Sequence, residues 1–264
     1  MRMKFSSLLS SLSALLPFAA SGALVAHYPL DTDASDASGN GYDGSVVGGS
    51  VDFGQAGANG NTGSSAAFPN QGRIDVPFNS ALNPASYTVT LWANASSTNG
   101  FASPITSRDD TPNSVHGYIL YNDNGGKWNN WTGSGGGPGS WDQLPGGPVS
   151  TDTWTHLALS YDAATNTKSF YVDGSLAGSK NTGLLYSPNG TVQSEDLHIG
   201  AGADSGGAFF FSGNIDDVSI WNTALDEAAI LNIKDNGVAS AIPEATSLGL
   251  LALGCLGLVR RRRS

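Results

Sequence analysis

The sequence predicts an all-β fold, a single sandwich or barrel, and three observations support this. Of the 264 residues, 13% are charged and 35 are Gly, whereas an average soluble domain has about 25% charged residues and about 7% Gly. Short runs of β-branched and aromatic residues recur between turns rich in Gly, Asn and Asp. About 215 residues remain between two unusual terminal segments, a length that fits one β-domain.

Eight segments have the composition and spacing of strands. In the segment 153–161, the alternation of side chains places Leu157 and Leu159 on one face and Trp154 and His156 on the other. The loop at 162–167 and the Asp-Gly pair at 173–174 predict hairpin turns. The predicted strand segments are 24–30, 73–76, 87–93, 117–121, 153–161, 168–172, 197–199 and 213–221.

One segment, residues 222–233, has the pattern of a short helix. Thr223 or Asp226 can accept the first free backbone N–H groups, and Ile230 and Ile233 form an apolar face. Gly237 follows as a stop signal. The sequence therefore predicts a single helix within the β-domain, near its C-terminal end.

Residues 1–23 have the pattern of a secretory signal peptide. Arg2 and Lys4 precede an apolar stretch from Leu8 to Ala20, and small residues continue to Ala23. A buried N-terminal helix is the alternative. The signal-peptide interpretation predicts cleavage after about Ala23 and export of the mature chain across the inner membrane.

Residues 241–264 form a second targeting segment, with a hydrophobic helix predicted at its centre. Pro243-Glu244 is followed by an apolar stretch and by Arg260–Arg263; counted from Ala245, the apolar part has 15 residues, short of the about 20 of a membrane span. This order resembles the PEP-CTERM sorting signal of Gram-negative bacteria, with Ala245 in place of the second Pro. The resemblance implies transient membrane association, removal by an exosortase-type enzyme, and delivery to the cell surface or extracellular matrix. A permanent C-terminal anchor is the alternative.

Six motifs between residues 24 and 240 follow the order of a known family. Together they resemble laminin-G-like, concanavalin-A-like jelly-roll domains. The resemblance implies an antiparallel two-sheet sandwich in which the first and last strands are neighbours. It does not by itself imply a reaction, because one fold carries many functions. The motifs are 27–31, 36–44, 87–92, 153–158 with 171–174, 198–200, and 213–218.

Acidic residues near both ends of this domain suggest a calcium site. Asp31, Asp36 and Asn40 lie within ten residues in a Gly-containing loop, and the implied fold brings Asp216 beside them. Calcium takes six to eight oxygen ligands of this kind. The alternative is that these side chains form ordinary Asx turns. The predicted structural Ca²⁺ ligands are Asp31, Asp36, Asn40 and Asp216.

The stretch from Tyr121 to Pro148 suggests a carbohydrate site, because it contains three of the six Trp residues among Asn, Asp and Gly. Sugars pack their C–H faces on aromatic rings, and their hydroxyl groups need polar partners. In the alternative interpretation, Trp128 and Trp131 belong to a strand that fills the interior. The candidate carbohydrate-binding residues are Trp128, Trp131, Trp141, Asp142 and Arg108.

Composition excludes several function classes. Residues 24–241 contain six basic and 21 acidic residues, a net charge of −15, which argues against a nucleic-acid partner. The single Cys excludes a disulfide framework. The chain lacks a zinc-protease motif, a nucleophile elbow, a phosphate loop and the clustered Glu residues of jelly-roll glycosidases, so no catalytic residues are predicted.

These observations favour a secreted or cell-surface, non-catalytic protein that binds extracellular polysaccharide or another glycan through a calcium-stabilised domain. A structural or protein-binding matrix module without a sugar site is the second hypothesis. A glycoside hydrolase or lyase on the same fold is the third, and it requires two carboxyl groups about 5–9 Å apart in a cleft.

Overall fold

A computed structural model describes residues 23–181, 183–202 and 208–242. The predicted signal peptide, residues 1–23, and the predicted sorting segment, residues 241–264, lie outside the described residues except for residues 23, 241 and 242. Within the part of the chain that is described, no helix has the length and apolar character needed to cross a membrane.

The described residues form two antiparallel β-sheets packed face to face, which confirms the predicted sandwich. Sheet I has eight strands and sheet II has seven. In spatial order, sheet I contains β13 (Ser175–Asn181), β12 (Thr167–Val172), β11 (Trp154–Asp162), β6 (Tyr87–Ala95), β15 (Gly213–Trp221), β4 (Ser64–Ala67) and β3 (Asp52–Ala56), with β1 (Leu24–Tyr28) also on β15. Sheet II contains β10 (Asp142–Pro148), β9 (Lys127–Thr132), β8 (Val115–Asn122), β7 (Ala102–Asp110), β14 (Leu197–Ile199), β5 (Gly72–Val76) and β2 (Ser45–Gly48).

The main core fills the space between the sheets. Leu157 and Leu159 face it from β11, as the alternation predicts, and Tyr118 and Leu120 face it from β8. Successive strand residues point to opposite faces, so every strand of sheet II also presents side chains on the outer face, away from sheet I. That outer face carries the candidate site.

The first and last strands are neighbours, as the family resemblance implies. Strand β1 pairs with β15 from Tyr28 opposite Val218 to Leu24 opposite Trp221. A β-bulge interrupts β15 after Asp216, and Asp217 takes a left-handed φ of 50°. Strict alternation would bury only one of the two carboxylates, but the bulge buries both.

The single α-helix of the described chain, α1 (Glu227–Asn236), lies on the outer face of sheet I. Asp226 is its N-cap and accepts a hydrogen bond from Ala229 N at 2.8 Å; Gly237, with φ 79°, ends it. Ile230 and Ile233 pack on Trp221 of sheet I in a second, smaller apolar cluster. The predicted helix is therefore confirmed.

All eight predicted segments contain strands. The described chain also contains strands outside those segments: β2, β3, β4, β7, β9, β10 and β13. Most of these are largely exposed and lie at sheet edges, such as β2, β3 and β13. Strand β7 is a central strand, and its charged residues Arg108-Asp109-Asp110 gave it the appearance of a loop. Its outward charges belong to the candidate site.

Candidate functional site

A groove of about 190 Å³ lies on the outer face of sheet II, and we call it the aromatic groove. Three adjacent strands form its floor: Arg108 and Asp110 on β7, Tyr121 on β8 and Trp131 on β9. Its walls come from outside the strands. The lining residues are Phe101, Arg108, Asp110, Tyr121, Trp131, Trp141 and Phe209.

Backbone contacts fix the walls of the groove. Phe209, with a left-handed φ of 53°, accepts a hydrogen bond from Ser103 N through its carbonyl oxygen at 2.9 Å. A parallel bridge between Ser103 and Phe210 continues this contact beside β7. Trp141 directly precedes β10 and ends the Gly-rich connection from β9. The groove therefore joins residues that are more than 100 positions apart in sequence.

The aromatic rings form a continuous cluster. Tyr121 and Trp131 meet edge to face with centroids 5.2 Å apart, and Phe101 lies 5.2 Å from Tyr121. The rings of Trp131 and Trp141 are 6.4 Å apart and tilted by 40°. Both Trp side chains are partly exposed, and Phe209 is exposed. Such rings provide flat apolar surfaces at the solvent boundary.

Arg108 connects the polar and aromatic parts of the groove. Its Nη1 donates to the Tyr121 hydroxyl at 3.1 Å and to the Gly202 carbonyl at 3.0 Å, and its Nη2 donates to Asp110. The guanidinium carbon lies 5.6 Å from the centre of the Trp141 ring, within cation–π distance. The structure thus brings together three of the predicted residues: Arg108, Trp131 and Trp141.

Trp128 is placed elsewhere, and this corrects the prediction that it contacts a sugar. Its side chain is fully buried in the core between the sheets. Residues three positions apart in a strand face opposite ways, so Trp128 points inward where Trp131 points outward. The alternative interpretation, in which one of the two fills the interior, describes Trp128.

Asp142 is also outside the groove, which corrects a second prediction. It starts β10 with its side chain towards the space between the sheets, where it forms ion pairs with Lys180 and, at 3.2 Å, with Lys168. Lys168 is fully buried, and its Nζ also donates to Asp142 O at 2.6 Å and to Thr132 Oγ1 at 3.2 Å. The carboxylate therefore joins the two sheets and does not face a ligand on the outer face.

Two of the predicted calcium ligands hold their own loop together. The Asp36 carboxylate accepts hydrogen bonds from the N–H groups of His27, Ser38 and Tyr42 at 2.9–3.0 Å. Burial alone would raise the pKa of Asp36, but these donors hold it below its ordinary value. The Asn40 amide donates to Val25 O at 2.8 Å. For Asp36 and Asn40, the structure shows the local turn contacts of the alternative interpretation.

Of the other two predicted ligands, Asp31 lines a pocket together with Thr62 and Asp217, and Asp216 on β15 is buried against Thr62. Asp31 accepts a hydrogen bond from Ser64 N, and Asp216 Oδ2 accepts from Ala58 N and Thr62 Oγ1, both at 2.8 Å. Asp216 Oδ1 is buried without a hydrogen-bond partner. Burial, and then repulsion from Asp217 and Asp31, raise the pKa of Asp216 to about 7.

The described residues contain no preformed group of three or more His, Cys, Asp or Glu side chains suited to a metal ion. Asp217 Oδ1 is occupied by His27 Nε2 at 2.6 Å. Any cation at Asp31 and Asp216 would therefore need backbone oxygens as additional ligands.

Two histidines make structural contacts. His116 bonds to Ser187 Oγ at 2.7 Å and to Ser114 Oγ at 2.8 Å. His198 Nδ1 bonds to Asp75 Oδ1 at 2.7 Å on the outer face of sheet II. Both rings are buried, in keeping with packed, hydrogen-bonded imidazoles.

Comparison with protein families places the chain in a known group. Residues 59–231 match the family described as the concanavalin A-like lectin/glucanases superfamily. The match covers more than half of the chain, and the protein belongs to this superfamily. None of the curated proteins compared with the chain matches it.

Solved structures share the fold at low sequence identity. Domain 4 of AbnA, a GH43 extracellular arabinanase from Geobacillus stearothermophilus solved with arabinotriose, is 22% identical, with a TM-score of 0.59 over 81% of this chain and 100% of that one. The binding domain of Paraclostridial Mosquitocidal Protein 1 is 14% identical, with a TM-score of 0.57 over 80% of this chain and 52% of that one. The CBM40 of Ruminococcus gnavus IT-sialidase, solved with α2,3-sialyllactose, is 14% identical, with a TM-score of 0.50 over 59% and 85%.

Proposed function

We propose that this protein binds carbohydrate in the aromatic groove and does not cleave it. The observation that carries the proposal is the pair of partly exposed rings, Trp131 and Trp141, beside the polar groups of Arg108 and Asp110. Flat rings with a few fixed polar groups are the usual composition of a sugar site. Two similar folds, the arabinanase domain and the CBM40, were solved with bound sugars, which supports the proposal.

The polar groups of the groove support binding without cleavage. Glycosidases of the common classes need two carboxyl groups, about 5–9.5 Å apart. Asp110 is the only acidic residue among those that line the groove in the described chain, and it is paired with Arg108. The groove is also smaller than the about 300–1,000 Å³ of pockets that enclose a drug-sized ligand, so it suits a single sugar residue of a longer chain.

A glycan array followed by affinity electrophoresis tests the proposal. Replacing Trp141→Ala removes one wall of the groove at a partly exposed position, so we expect the fold to persist. Affinity for the bound polysaccharide should fall about 30-fold, the effect of losing a binding hot spot worth about 2 kcal/mol.

Trp154→Ala is the matched control, because Trp154 is a partly exposed tryptophan on sheet I. It should bind as the wild type does. If Trp141→Ala binds normally, the aromatic groove is rejected as the binding site. If the array shows no binding, carbohydrate binding itself is rejected and the second hypothesis, a structural or protein-binding matrix module, gains support.

We also propose that a calcium ion stabilises the domain at Asp31 and Asp216. The support is the buried Oδ1 of Asp216, which has no partner, together with the carboxylates of Asp31 and Asp217 nearby. A divalent cation would offset this buried negative charge, and backbone carbonyls of the surrounding loops would complete an oxygen shell. Asp36 and Asn40 are not part of this proposal, because their side chains hold the 36–42 loop.

Thermal unfolding with calcium and with a chelator tests this site. Calcium at a hundredfold excess over its Kd should raise the wild-type Tm by about 5–10 °C. Asp216→Asn should lose the response, and in chelator it should melt no lower than the wild type, because the amide carries no buried charge. The exposed Asp33→Asn variant should respond as the wild type does. A wild-type Tm that is the same with calcium and chelator would reject the site.

A further inference from the structure

Arg108 is the only cation among the described residues that line the aromatic groove, and its charge is neutralised within the groove. Arg108 is paired with Asp110 through Nη2, and its Nη1 is shared between the Tyr121 hydroxyl and the Gly202 carbonyl. The guanidinium carbon lies over the Trp141 ring, 5.6 Å from its centre. Arg108 and Asp110 carry opposite formal charges, and every other lining residue that the structure describes is aromatic.

Most of the few basic residues elsewhere in the domain are also paired with carboxylates. Five of the six basic residues of residues 24–241, including Arg108, lie within 4.0 Å of a carboxylate oxygen. The sixth, Lys127, is exposed on β9, four positions from Trp131, or about 13 Å along the strand. With a net charge of −15, the domain repels polyanions over a Debye length of about 10 Å at 0.1 M salt.

We infer that the aromatic groove selects neutral sugars against anionic ones such as uronates and sialic acids, and that the ion pair of Arg108 with Asp110 sets this selection. The inference rests on the proposed function and names its substrate class. A carboxylated sugar at the groove would have to displace Asp110 from Arg108 or remain unpaired beside it. Both are unfavourable, because a desolvated carboxylate without a cationic partner is costly.

Arg108 in this arrangement is a positioning residue. It joins four parts of the groove: its own strand β7, Tyr121 on β8, the backbone at Gly202 and the ring of Trp141. A guanidinium that donates directed hydrogen bonds and lies over an aromatic ring fixes the relative placement of those parts. Arg108 therefore holds the aromatic walls of the groove in place. The rings of those walls would then contact the uncharged C–H faces of a sugar.

Affinity electrophoresis of the full chain against two groups of polysaccharides tests the inference. The neutral probes are arabinan, xylan and dextran, and the acidic probes are polygalacturonate and alginate. The wild type should be retarded by at least one neutral probe and by neither acidic probe. Asp110→Asn should gain at least about tenfold in affinity for an acidic probe at low salt, and the gain should disappear at 0.5 M NaCl.

Two further variants keep the result interpretable. Arg108→Gln/Asp110→Asn should lose the gain, because it also lacks the Arg108 cation, whereas Lys127→Ala/Asp110→Asn should keep it. Near-ultraviolet circular dichroism verifies that each variant is folded. Retardation of the wild type by acidic probes alone would overturn the inference while leaving carbohydrate binding intact. Retardation by no probe, together with an empty glycan array, would overturn the proposed function and the inference with it.

Discussion

At the residue scale, the two tryptophans of β9 show how a strand divides its side chains. Trp128 is buried in the core and Trp131 lines the groove. Their spacing of three positions requires opposite faces, so no more than one of them can contact a ligand on the outer face. The sequence shows that the two side chains lie on opposite faces, but it does not show which face is buried. Both faces of β9 are rich in aromatic and amide side chains.

The burial of His156 leads to a prediction about how the stability of the fold depends on pH. It lies on the outer face of sheet I, with its ring 5.1 Å from that of Trp92. Burial, and then the charge of Lys234 on α1, lower the pKa of His156 to about 3, although Asp235 opposes them. An unfolded His has a pKa of about 6.5. Between pH 6.5 and 3 the unfolded chain therefore binds more protons at this residue, and stability should fall as the pH is lowered.

Urea unfolding at pH 7 and pH 4 measures the effect. Protonation of His156 should lower the free energy of unfolding of the wild type by on the order of 3 kcal/mol between pH 7 and pH 4. The free energy of unfolding of His156→Leu should fall correspondingly less. Leu231→Gln, an exposed change on helix α1, which also carries Lys234, serves as the control and should keep the full pH dependence. Equal losses in the wild type and His156→Leu would contradict the prediction.

At the scale of elements, an ion-pair cluster joins the two sheets at one edge. Asp142 of β10 in sheet II faces Lys168 of β12 and Lys180 of β13 in sheet I. Burial is the main cause that lowers the pKa of Lys168 to about 8, in spite of its contact with Asp142. At this edge, ion pairs join the two sheets in a position where apolar contacts would otherwise be expected.

Asp142→Asn should destabilise the fold by about 3–5 kcal/mol at pH 7, because it leaves the Lys168 charge buried without its partner. Part of the loss should be recovered at pH 9. A lysine whose pKa is lowered in the folded state binds fewer protons there than in the unfolded chain, so stability rises with pH over that range. Urea midpoints at both pH values measure this.

The exposed acidic residue Asp52 of β3 provides the matched control. Asp52→Asn should stay within about 0.5 kcal/mol of the wild type. A similar small change in Asp142→Asn would show that the cluster contributes nothing measurable and would contradict the assigned role of Asp142.

At the scale of the whole molecule, we propose that the chain is exported and that its β-domain is the delivered part. The signal-peptide prediction puts cleavage after about Ala23, and β1 begins at Leu24. Cleavage there would leave β1 intact against β15. Expression of the full chain in a Gram-negative host, followed by intact-mass analysis of the periplasmic fraction, should show a chain that begins near Leu24. Cytoplasmic protein that retains Met1 would contradict this.

The sequence by itself determined the class of fold and the identity of most central strands. Alternation placed Leu157 and Leu159 inward, and local capping chemistry placed the helix between Asp226 and Gly237. These features depend on residues close together in the chain, whose geometry follows from the periods of strands and helices. They could therefore be predicted without knowledge of the rest of the molecule.

Only the tertiary structure decided which side chains form the groove. Phe101 and Phe209 meet around Tyr121 although they are more than 100 positions apart, and Asp142, one residue after Trp141, turns away to the opposite sheet. Strand β7, with its outward Arg108 and Asp110, was not predicted, because charged residues are more typical of loops than of central strands. A strand pattern shows that two faces exist, but sheet order and packing decide which face is buried and which residues meet on it.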